Sequence, residues 1–369
     1  MGALPISLAA LVLATAAVAV PAPDQATADP LSAATGQAAA PALPGVHTPG
    51  RVEDRGAEVR YTWPGVYFEA TVRGGDVGIV LDDAVNDYAV TVDDQPPVTL
   101  TQPGRQTIWV KARHRVRLAK RTESPWTPGQ FGGFVAGPGN AIVGTPAARH
   151  RQIEFIGDSW TAGYGNMSTV RDCSPTGGVD RNSNADQSFG ALTARALNAD
   201  YQLNAWSGRG MVRNYDGGDP GTDYRTYYDR TLQAASTAVW QRPASWRPQV
   251  IVIGLGINDF STPVHAGEQW ADEATLAADF RTAYLGFLRR LRDRYGPNPR
   301  ILLTHPTLNA TLTDAITQVA AASGDPRVQA FHYDNAALGL DLMGCDWHPS
   351  ARDHRLIADA LTAHLRTLT

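Results

Sequence analysis

The spacing of apolar residues changes near residue 150, and this change limits the folds open to the chain more than any other feature. Before it, short β-branched and aromatic runs have a period of two and are separated by turn sequences such as Gly74-Gly75-Asp76 and Pro103-Gly104. After it, short apolar runs alternate with amphipathic helical patterns. A chain of 369 residues with such a division is expected to form two domains of different class.

Residues 49–147 are predicted to form an all-β sandwich of the jelly-roll type, because evenly spaced short strands without helical periodicity favour two packed antiparallel sheets. The predicted strands are 66–73, 77–81, 88–92, 107–110 and 114–118. Sandwiches serve many functions. This one is interpreted either as a carbohydrate-binding module or active-site wall, or as a folding partner that only covers the second domain.

Residues 148–369 are predicted to form a three-layer, flavodoxin-like α/β domain with a parallel sheet. Its predicted strands are 153–156, 201–206, 250–255, 301–303 and 328–333, and its helices are 188–197, 271–295, 313–322 and 351–368. Right-handed crossovers place the carboxyl end of every such strand at one edge of the sheet, where α/β proteins bind their ligands.

The N-terminus predicts export. Residues 1–22 contain an uncharged apolar run and the cleavage candidate Ala17-Val18-Ala19, as in a signal peptide. A membrane anchor is the alternative, but the run is short and prolines follow it, so no stable membrane association is expected after cleavage. Residues 23–48, rich in Ala and Pro, are predicted to be a disordered linker. The formal net charge of −4 gives no basic surface for nucleic acid.

Four loops at the shared sheet edge carry unusual polar residues. They are Gly157-Asp158-Ser159, 207–210, 256–259 and 345–350. Each alone has an ordinary explanation, such as a turn, a helix cap or a helix entrance. Together they supply a serine, a glycine, an asparagine and a histidine, and acyl transfer needs such a nucleophile, base and oxyanion donors.

The two cysteines of the chain, Cys173 and Cys345, both belong to loops of this edge. In an exported protein a disulfide between them is expected, and it would join the two loops. Metal binding and free thiols are the alternatives. Two cysteines cannot form a structural zinc site unaided, and neither a metal nor another cofactor is expected.

These loops carry a family resemblance. The segment from Gly157 to Thr161 resembles the first block of the GDSL, or SGNH, hydrolases, and Gly208, Asn258 and His348 match the glycine, asparagine and histidine of later blocks. More specifically, the chain resembles carbohydrate esterase family 2, which joins an N-terminal jelly roll to an SGNH domain. That second likeness rests on residues 60–66, 117–123, 153–166, 205–210, 213–215 and 346–350.

The resemblance implies serine esterolysis. Ser159 would attack the ester carbonyl, and His348 would take its proton and return it to the departing sugar hydroxyl. The backbone N–H groups of Ser159 and Gly208 and the side-chain amide of Asn258 would form the oxyanion hole.

The residue that orients His348 is left open by the sequence. SGNH hydrolases usually place an acid three residues before the histidine, but Cys345 occupies that position and Asp346 follows it. Asp346 is assigned as the third catalytic residue, with a backbone carbonyl as the alternative. Asp158 is expected to brace the serine turn, and Asp259 to hold the Asn258 loop.

The predicted function is that of a secreted, metal-independent and monomeric serine esterase. Its expected substrate is an acetylated polysaccharide or oligosaccharide, such as xylan or glucomannan, from which it removes O-acetyl groups through an acyl-enzyme. A GDSL lipase or aryl esterase is the alternative within enzymes. An inactive carbohydrate-binding protein is the alternative outside them.

Overall fold

The computed structural model describes residues 43–368, so the predicted signal peptide and the predicted linker up to residue 42 lie outside the described residues. The last residues of that predicted linker are packed. The apolar side chains of Leu43 and Val46 belong to the core, and the backbone of His47 pairs with that of Glu69. Packed structure therefore begins before residue 49, the boundary that the sequence analysis set.

The first domain is a sandwich of two antiparallel sheets, and its fold class is as predicted. One sheet has the strand order β1-β2-β9-β4-β7 and the other β10-β3-β8-β5-β6. The strands are β1 (Glu53–Asp54), β2 (Val59–Tyr61), β3 (Tyr67–Arg73), β4 (Asp76–Asp83), β5 (Asp87–Val92), β6 (Val98–Thr101), β7 (Gly104–Lys111), β8 (Arg115–Lys120), β9 (Gly129–Ala136) and β10 (Ala141–Ile142).

Alternation along the strands builds the sandwich core. In β8, Val116 and Leu118 are fully buried, whereas Arg117 between them points to the other face of its sheet. Across the sandwich the rings of Phe68 and Phe131 stack with centroids 4.3 Å apart. The two apolar faces of the sheets thus cover each other.

The second domain is built on a five-stranded parallel sheet of order β12-β11-β13-β14-β15. This is the flavodoxin-like order, and it confirms the predicted fold class. The strands are β11 (Arg151–Gly157), β12 (Ala199–Ala205), β13 (Val250–Gly254), β14 (Arg300–Pro306) and β15 (Val328–Tyr333). The helices are α1 (Ser159–Ala162), α2 (Gly178–Asn182), α3 (Phe189–Ala196), α4 (Tyr224–Tyr227), α5 (Ile257–Phe260), α6 (Glu273–Tyr295), α7 (Ala310–Ala322) and α8 (Ala351–Thr367).

Local sequence signals explain where the long helices begin and what they cover. The Asp272 side chain caps α6 by accepting the Thr275 N–H at 2.8 Å, and the apolar stripe that includes Leu276, Phe280 and Phe287 is buried. Ser350 and Asp353 form the same kind of capping box at the start of α8. Helices on both faces leave only the strand ends open to ligands.

Buried polar contacts join the sandwich to the α/β domain. Arg51 Nη2 lies 3.0 Å from Glu154 Oε1 in strand β11, and neither side chain is exposed to solvent. The Arg51 guanidinium also lies over the rings of Trp240 and Tyr228, 4.6 and 4.8 Å from their centroids. Removing one partner of such an ion pair would leave a buried charge uncompensated.

Among residues 43–368, no helix combines the length and the apolar character that crossing a membrane requires. The same residues contain no cluster of three or more His, Cys, Asp or Glu side chains that could hold a metal ion.

Candidate active site

Ser159 lies where strand β11, an inner strand of the sheet, turns into the short helix α1. The Asp158 carboxylate caps this helix by accepting the Trp160 N–H at 3.1 Å, as expected of a residue that braces the turn. Gly157 permits the sharp turn, because a Cβ at this position would lie 2.1 Å from Thr161 Oγ1. The strand end and the cap therefore determine where the serine points.

His348 contacts the serine directly. Its Nε2 lies 2.8 Å from Ser159 Oγ, while Nδ1 lies 3.0 Å from the backbone oxygen of Cys345 and 3.1 Å from that of Asp346. Carbonyl oxygens only accept, so they favour the tautomer with a proton on Nδ1 and leave Nε2 free to accept the serine proton. Burial lowers the pKa of His348, which favours the neutral imidazole, the form that can accept a proton.

The expected contact between the Asp346 carboxylate and His348 is not formed. Asp346 instead accepts the Tyr164 hydroxyl at 2.8 Å. Asp346 and Trp347 are both left-handed, with φ of 51° and 64°, and in this turn main-chain oxygens rather than the side chain face the imidazole. The Tyr164 ring packs against that of His348 with centroids 4.3 Å apart. The carboxylate thus braces a neighbour of the histidine.

The predicted disulfide between Cys173 and Cys345 is confirmed, with the two Cα atoms 5.5 Å apart. Backbone hydrogen bonds run beside it, from the Cys345 N–H to Gly165 at 3.1 Å and from the Asp346 N–H to Arg171 at 2.9 Å. The loop after the nucleophile and the turn that carries the histidine are therefore joined both covalently and through their backbones.

The oxyanion donors predicted from the sequence are three N–H groups, those of Ser159, Gly208 and Asn258. The Ser159 N–H is at the first position of α1 and has no partner within the helix. Gly208 has a φ of +78° and open space where a Cβ would be, and within residues 43–368 its N–H has no hydrogen-bond acceptor. The Asn258 amide nitrogen lies 3.0 Å from the Arg209 carbonyl and 3.3 Å from Asp158 Oδ2.

Asp259 joins the glycine loop to the asparagine loop. Its carboxylate accepts the N–H groups of Met211, Val212 and Arg213 at 2.8–2.9 Å. Asp259 therefore holds the loop after β12 as well as the Asn258 loop to which it belongs. Burial raises the pKa of Asp259 to about 6 in spite of these bonds, and burial raises the pKa of Asp158 to about 8. Both carboxyl groups lie inside the scaffold of the site.

Several residues at the site had no assigned role in the sequence analysis. Glu123, from the sandwich domain, accepts hydrogen bonds from both the N–H and the hydroxyl of Ser207, beside Gly208. Trp126 is 66% exposed and packs edge-on against the buried Trp206. Glu123 and Tyr164 belong to segments that carry the family resemblance, but nothing in their spacing indicates a contact across the site.

The fold and the site define the class of protein. A serine after the first strand of this sheet, a histidine before its last helix, and glycine and asparagine loops between them are the arrangement of the GDSL, or SGNH, hydrolases. The family model described as GDSL-like Lipase/Acylhydrolase matches residues 153–361, and the one described as Carbohydrate esterase 2 N-terminal matches residues 48–146. The chain belongs to family 2 of the carbohydrate esterases, and it is a carboxylic ester hydrolase.

Similar proteins agree with this assignment. An acetylxylan esterase/glucomannan deacetylase of Cellvibrio japonicus is 39% identical over 313 residues, which cover 83% of this chain and 85% of that protein. A carbohydrate esterase whose active site displays divergent catalytic and non-catalytic binding functions has a solved structure with TM-score 0.81 and 38% identity, over 87% of this chain and 97% of the other. The solved structure of a family two carbohydrate esterase from Clostridium thermocellum, in complex with cellohexaose, has a TM-score of 0.72 and 31% sequence identity. The match covers 88% of this chain and 98% of the other.

Proposed function

We propose that this protein is a secreted serine esterase that removes O-acetyl groups from hemicellulose, such as acetylated xylan or glucomannan. The observation that carries the proposal is the 2.8 Å contact between Ser159 Oγ and His348 Nε2. The substrate class is supported by the similar protein described as an acetylxylan esterase/glucomannan deacetylase.

The reaction would proceed in two half-reactions. Ser159 Oγ attacks the acetyl carbonyl as its proton passes to His348 Nε2, and the oxyanion accepts hydrogen bonds from the donor groups. Collapse of this intermediate breaks the bond to the sugar oxygen, which leaves with the proton from His348. Water, deprotonated by His348, then attacks the acetyl-enzyme, and acetate and free Ser159 result.

We propose that main-chain oxygens, and not a carboxylate, hold His348 during both steps. When the imidazole takes the serine proton, its Nδ1–H points at the carbonyl dipoles of Cys345 and Asp346. These dipoles stabilise the positive charge that develops on the ring, as the carboxylate does in a triad. The catalytic unit is then a Ser159–His348 dyad with backbone support.

Exposed aromatic rings support a carbohydrate substrate. Trp347 directly precedes His348 and is 62% exposed, while Trp126 of the sandwich domain packs against Trp206 and is 66% exposed. Indole faces stack on the apolar faces of sugar rings. One ring comes from each domain, so the sandwich would contribute a wall to the substrate cleft.

Export is proposed from residues 1–22, which have the composition of a signal peptide, and is supported by the disulfide, since such bonds persist in oxidising compartments. We propose that the signal peptide comprises residues 1–22, that the sandwich and the α/β domain divide at residue 147, and that the mature enzyme is a monomer. If this is correct, mass spectrometry of the protein from culture supernatant would find a new N-terminus between about residues 20 and 23.

The activity is tested by measuring acetate release from acetylated xylan, acetylated glucomannan and acetylated peptidoglycan, together with p-nitrophenyl esters of increasing chain length. Ser159→Ala should reduce release to background in each case. Undiminished release by Ser159→Ala would disprove the mechanism. A preference for long-chain esters over the acetylated polysaccharides would instead favour the lipase or aryl esterase function.

A further inference from the structure

We propose that Glu123, a residue of the sandwich domain, is a positioning residue for the oxyanion donor Gly208. The inference rests on the proposed function, because it assumes that the Gly208 N–H stabilises the oxyanion. It assigns to the first domain a part in catalysis beyond covering the second domain or binding glycan.

The contact crosses from one domain to the other. Glu123 follows strand β8 of the sandwich, and its Oε1 accepts the Ser207 N–H at 2.9 Å. Its Oε2 accepts the Ser207 hydroxyl. Ser207 directly precedes Gly208, and the peptide bond between the two residues carries the Gly208 N–H. The Glu123 carboxylate therefore restrains both the backbone and the side chain of the residue before Gly208.

Gly208 is restrained on its other side as well. Its carbonyl accepts the Tyr215 N–H at 2.9 Å, and its φ of +78° is a left-handed conformation that glycine adopts without strain. Glycine also leaves the backbone loose unless other contacts restrain it. The hydrogen bonds to Glu123 before Gly208 and from Tyr215 after it supply that restraint.

The segment that carries Glu123 is itself firmly held. The ammonium group of Lys120 is fully buried and donates to the backbone oxygens of Thr62, at 3.0 Å, and Thr122. On the other side of Glu123, the Pro125 carbonyl accepts the N–H groups of Ala234 and Ala235 at 3.0 and 3.1 Å. The backbone segment that carries the Glu123 carboxylate is therefore held by hydrogen bonds to both domains.

A carboxylate suits this position chemically. Its two oxygens only accept, and Ser207 presents two donors, one from the main chain and one from the side chain. Burial raises the pKa of Glu123, and the two hydrogen bonds from Ser207, followed by the positive charge of Lys120, favour its ionised form. A shorter or apolar residue would leave the Ser207 N–H without a partner and the Gly208 peptide free to rotate.

The test compares kinetic constants on p-nitrophenyl acetate and acetylated xylan. Glu123→Ala should lower kcat about 10- to 100-fold while KM stays within about twofold, because the donor is needed in the transition state and not for binding. Glu123→Gln should recover most of the loss, since its carbonyl oxygen can accept the Ser207 N–H. The matched control is Glu58→Ala, which removes a sandwich carboxylate far from the site and should leave kcat unchanged.

A second measurement separates positioning from mere stability. Phenylboronic acid forms a tetrahedral adduct with an active-site serine and resembles the transition state, so its affinity should fall by the same factor as kcat/KM in Glu123→Ala. Ser207→Ala removes only the hydroxyl contact and should lose about 3- to 10-fold in kcat, which provides a test if Glu123→Ala does not fold. Unchanged boronate affinity, or full kcat in Ser207→Ala and Glu123→Ala, would overturn the inference.

Ser159→Ala is measured in parallel. If it retains activity, the proposed function fails. If it is inactive while Glu123→Ala keeps full kcat, only the role of Glu123 fails.

Discussion

The two ends of the candidate site are built in different ways. Ser159 is held by regular structure, since the inner strand β11 ends at Gly157, α1 begins at Ser159, and Asp158 caps the helix between them. His348 follows an irregular turn with two consecutive left-handed residues, and a disulfide and main-chain carbonyls hold it. Side-chain identity therefore matters most around the serine, whereas the path of the backbone matters most around the histidine.

This contrast has a consequence for mutagenesis. Around Ser159, deleting a polar side chain removes a functional group outright. Around His348, the groups that face Nδ1 belong to the main chain and survive any side-chain substitution, so changes that move the turn should affect the imidazole most. The variants below test whether the contrast holds.

The largest effect is expected at the serine end. Asn258→Ala removes a side-chain donor from the proposed oxyanion hole and should lower kcat about 10²- to 10³-fold, with KM little changed. Asn298→Ala, an exposed asparagine beyond the end of α6, is the matched control and should behave as wild type. A loss of less than about threefold in Asn258→Ala would show that the backbone donors suffice.

A smaller effect is expected when the turn of His348 is released. Cys173→Ser opens the disulfide and leaves Cys345 in place, so the carbonyl that faces Nδ1 is no longer covalently restrained. We expect a 10- to 100-fold loss in kcat and about 2–4 kcal/mol less unfolding free energy, since the bond closes a sequence separation of 172 residues.

Chemical reduction provides the control for that variant. Wild-type protein treated with a thiol reductant should lose activity to the same degree, and reoxidation should restore it. Full activity in a sample whose two thiols are shown to be free would mean that the backbone bonds to Gly165 and Arg171 hold the turn without the disulfide.

Asp346→Asn should have almost no effect on the rate. The amide still accepts the Tyr164 hydroxyl, so kcat should stay within about threefold of wild type. Tyr164→Phe tests the same contact from the other side. If Asp346 served as a triad acid, the loss would be on the order of 10⁴-fold, and such a result would restore the assignment made from the sequence.

The smallest effect is expected on the pH dependence of kcat/KM. Burial lowers the pKa of His348, so the neutral base persists at pH values where an exposed histidine would be protonated. The acid limb of kcat/KM, which reports the free enzyme, should therefore have its midpoint below about 6.5. Asp346→Asn removes a nearby charge that raises this pKa and should move the limb slightly further down.

The sequence predicted the fold and much of the site, because both depend on local patterns. Periodicity separated the sandwich from the α/β domain, and strand ends placed Ser159, Gly208, Asn258 and His348 at one edge. Strand β9 was missed because its sequence contains Gly132-Gly133, which is typical of a turn.

The support of His348 could not be predicted in the same way. Which oxygens face Nδ1 depends on the φ angles of Asp346 and Trp347, and carbonyl groups are present at every position of a chain. The role of Glu123 was equally hidden, because its partner Ser207 lies 84 positions away in the sequence and in another domain. Contacts of this kind follow from the assembled fold and not from spacing.

The buried contacts between the domains also bear on how such an enzyme can be inherited or redesigned. A gene fragment that begins near residue 150 would encode every strand of the parallel sheet and all four catalytic loops. Its product would nevertheless carry the Glu154 carboxylate without Arg51, and Ser207 without Glu123. We expect the two halves to be transmitted as one unit in recombination, and a minimal esterase cut from this chain to require a redesigned surface where the sandwich now lies.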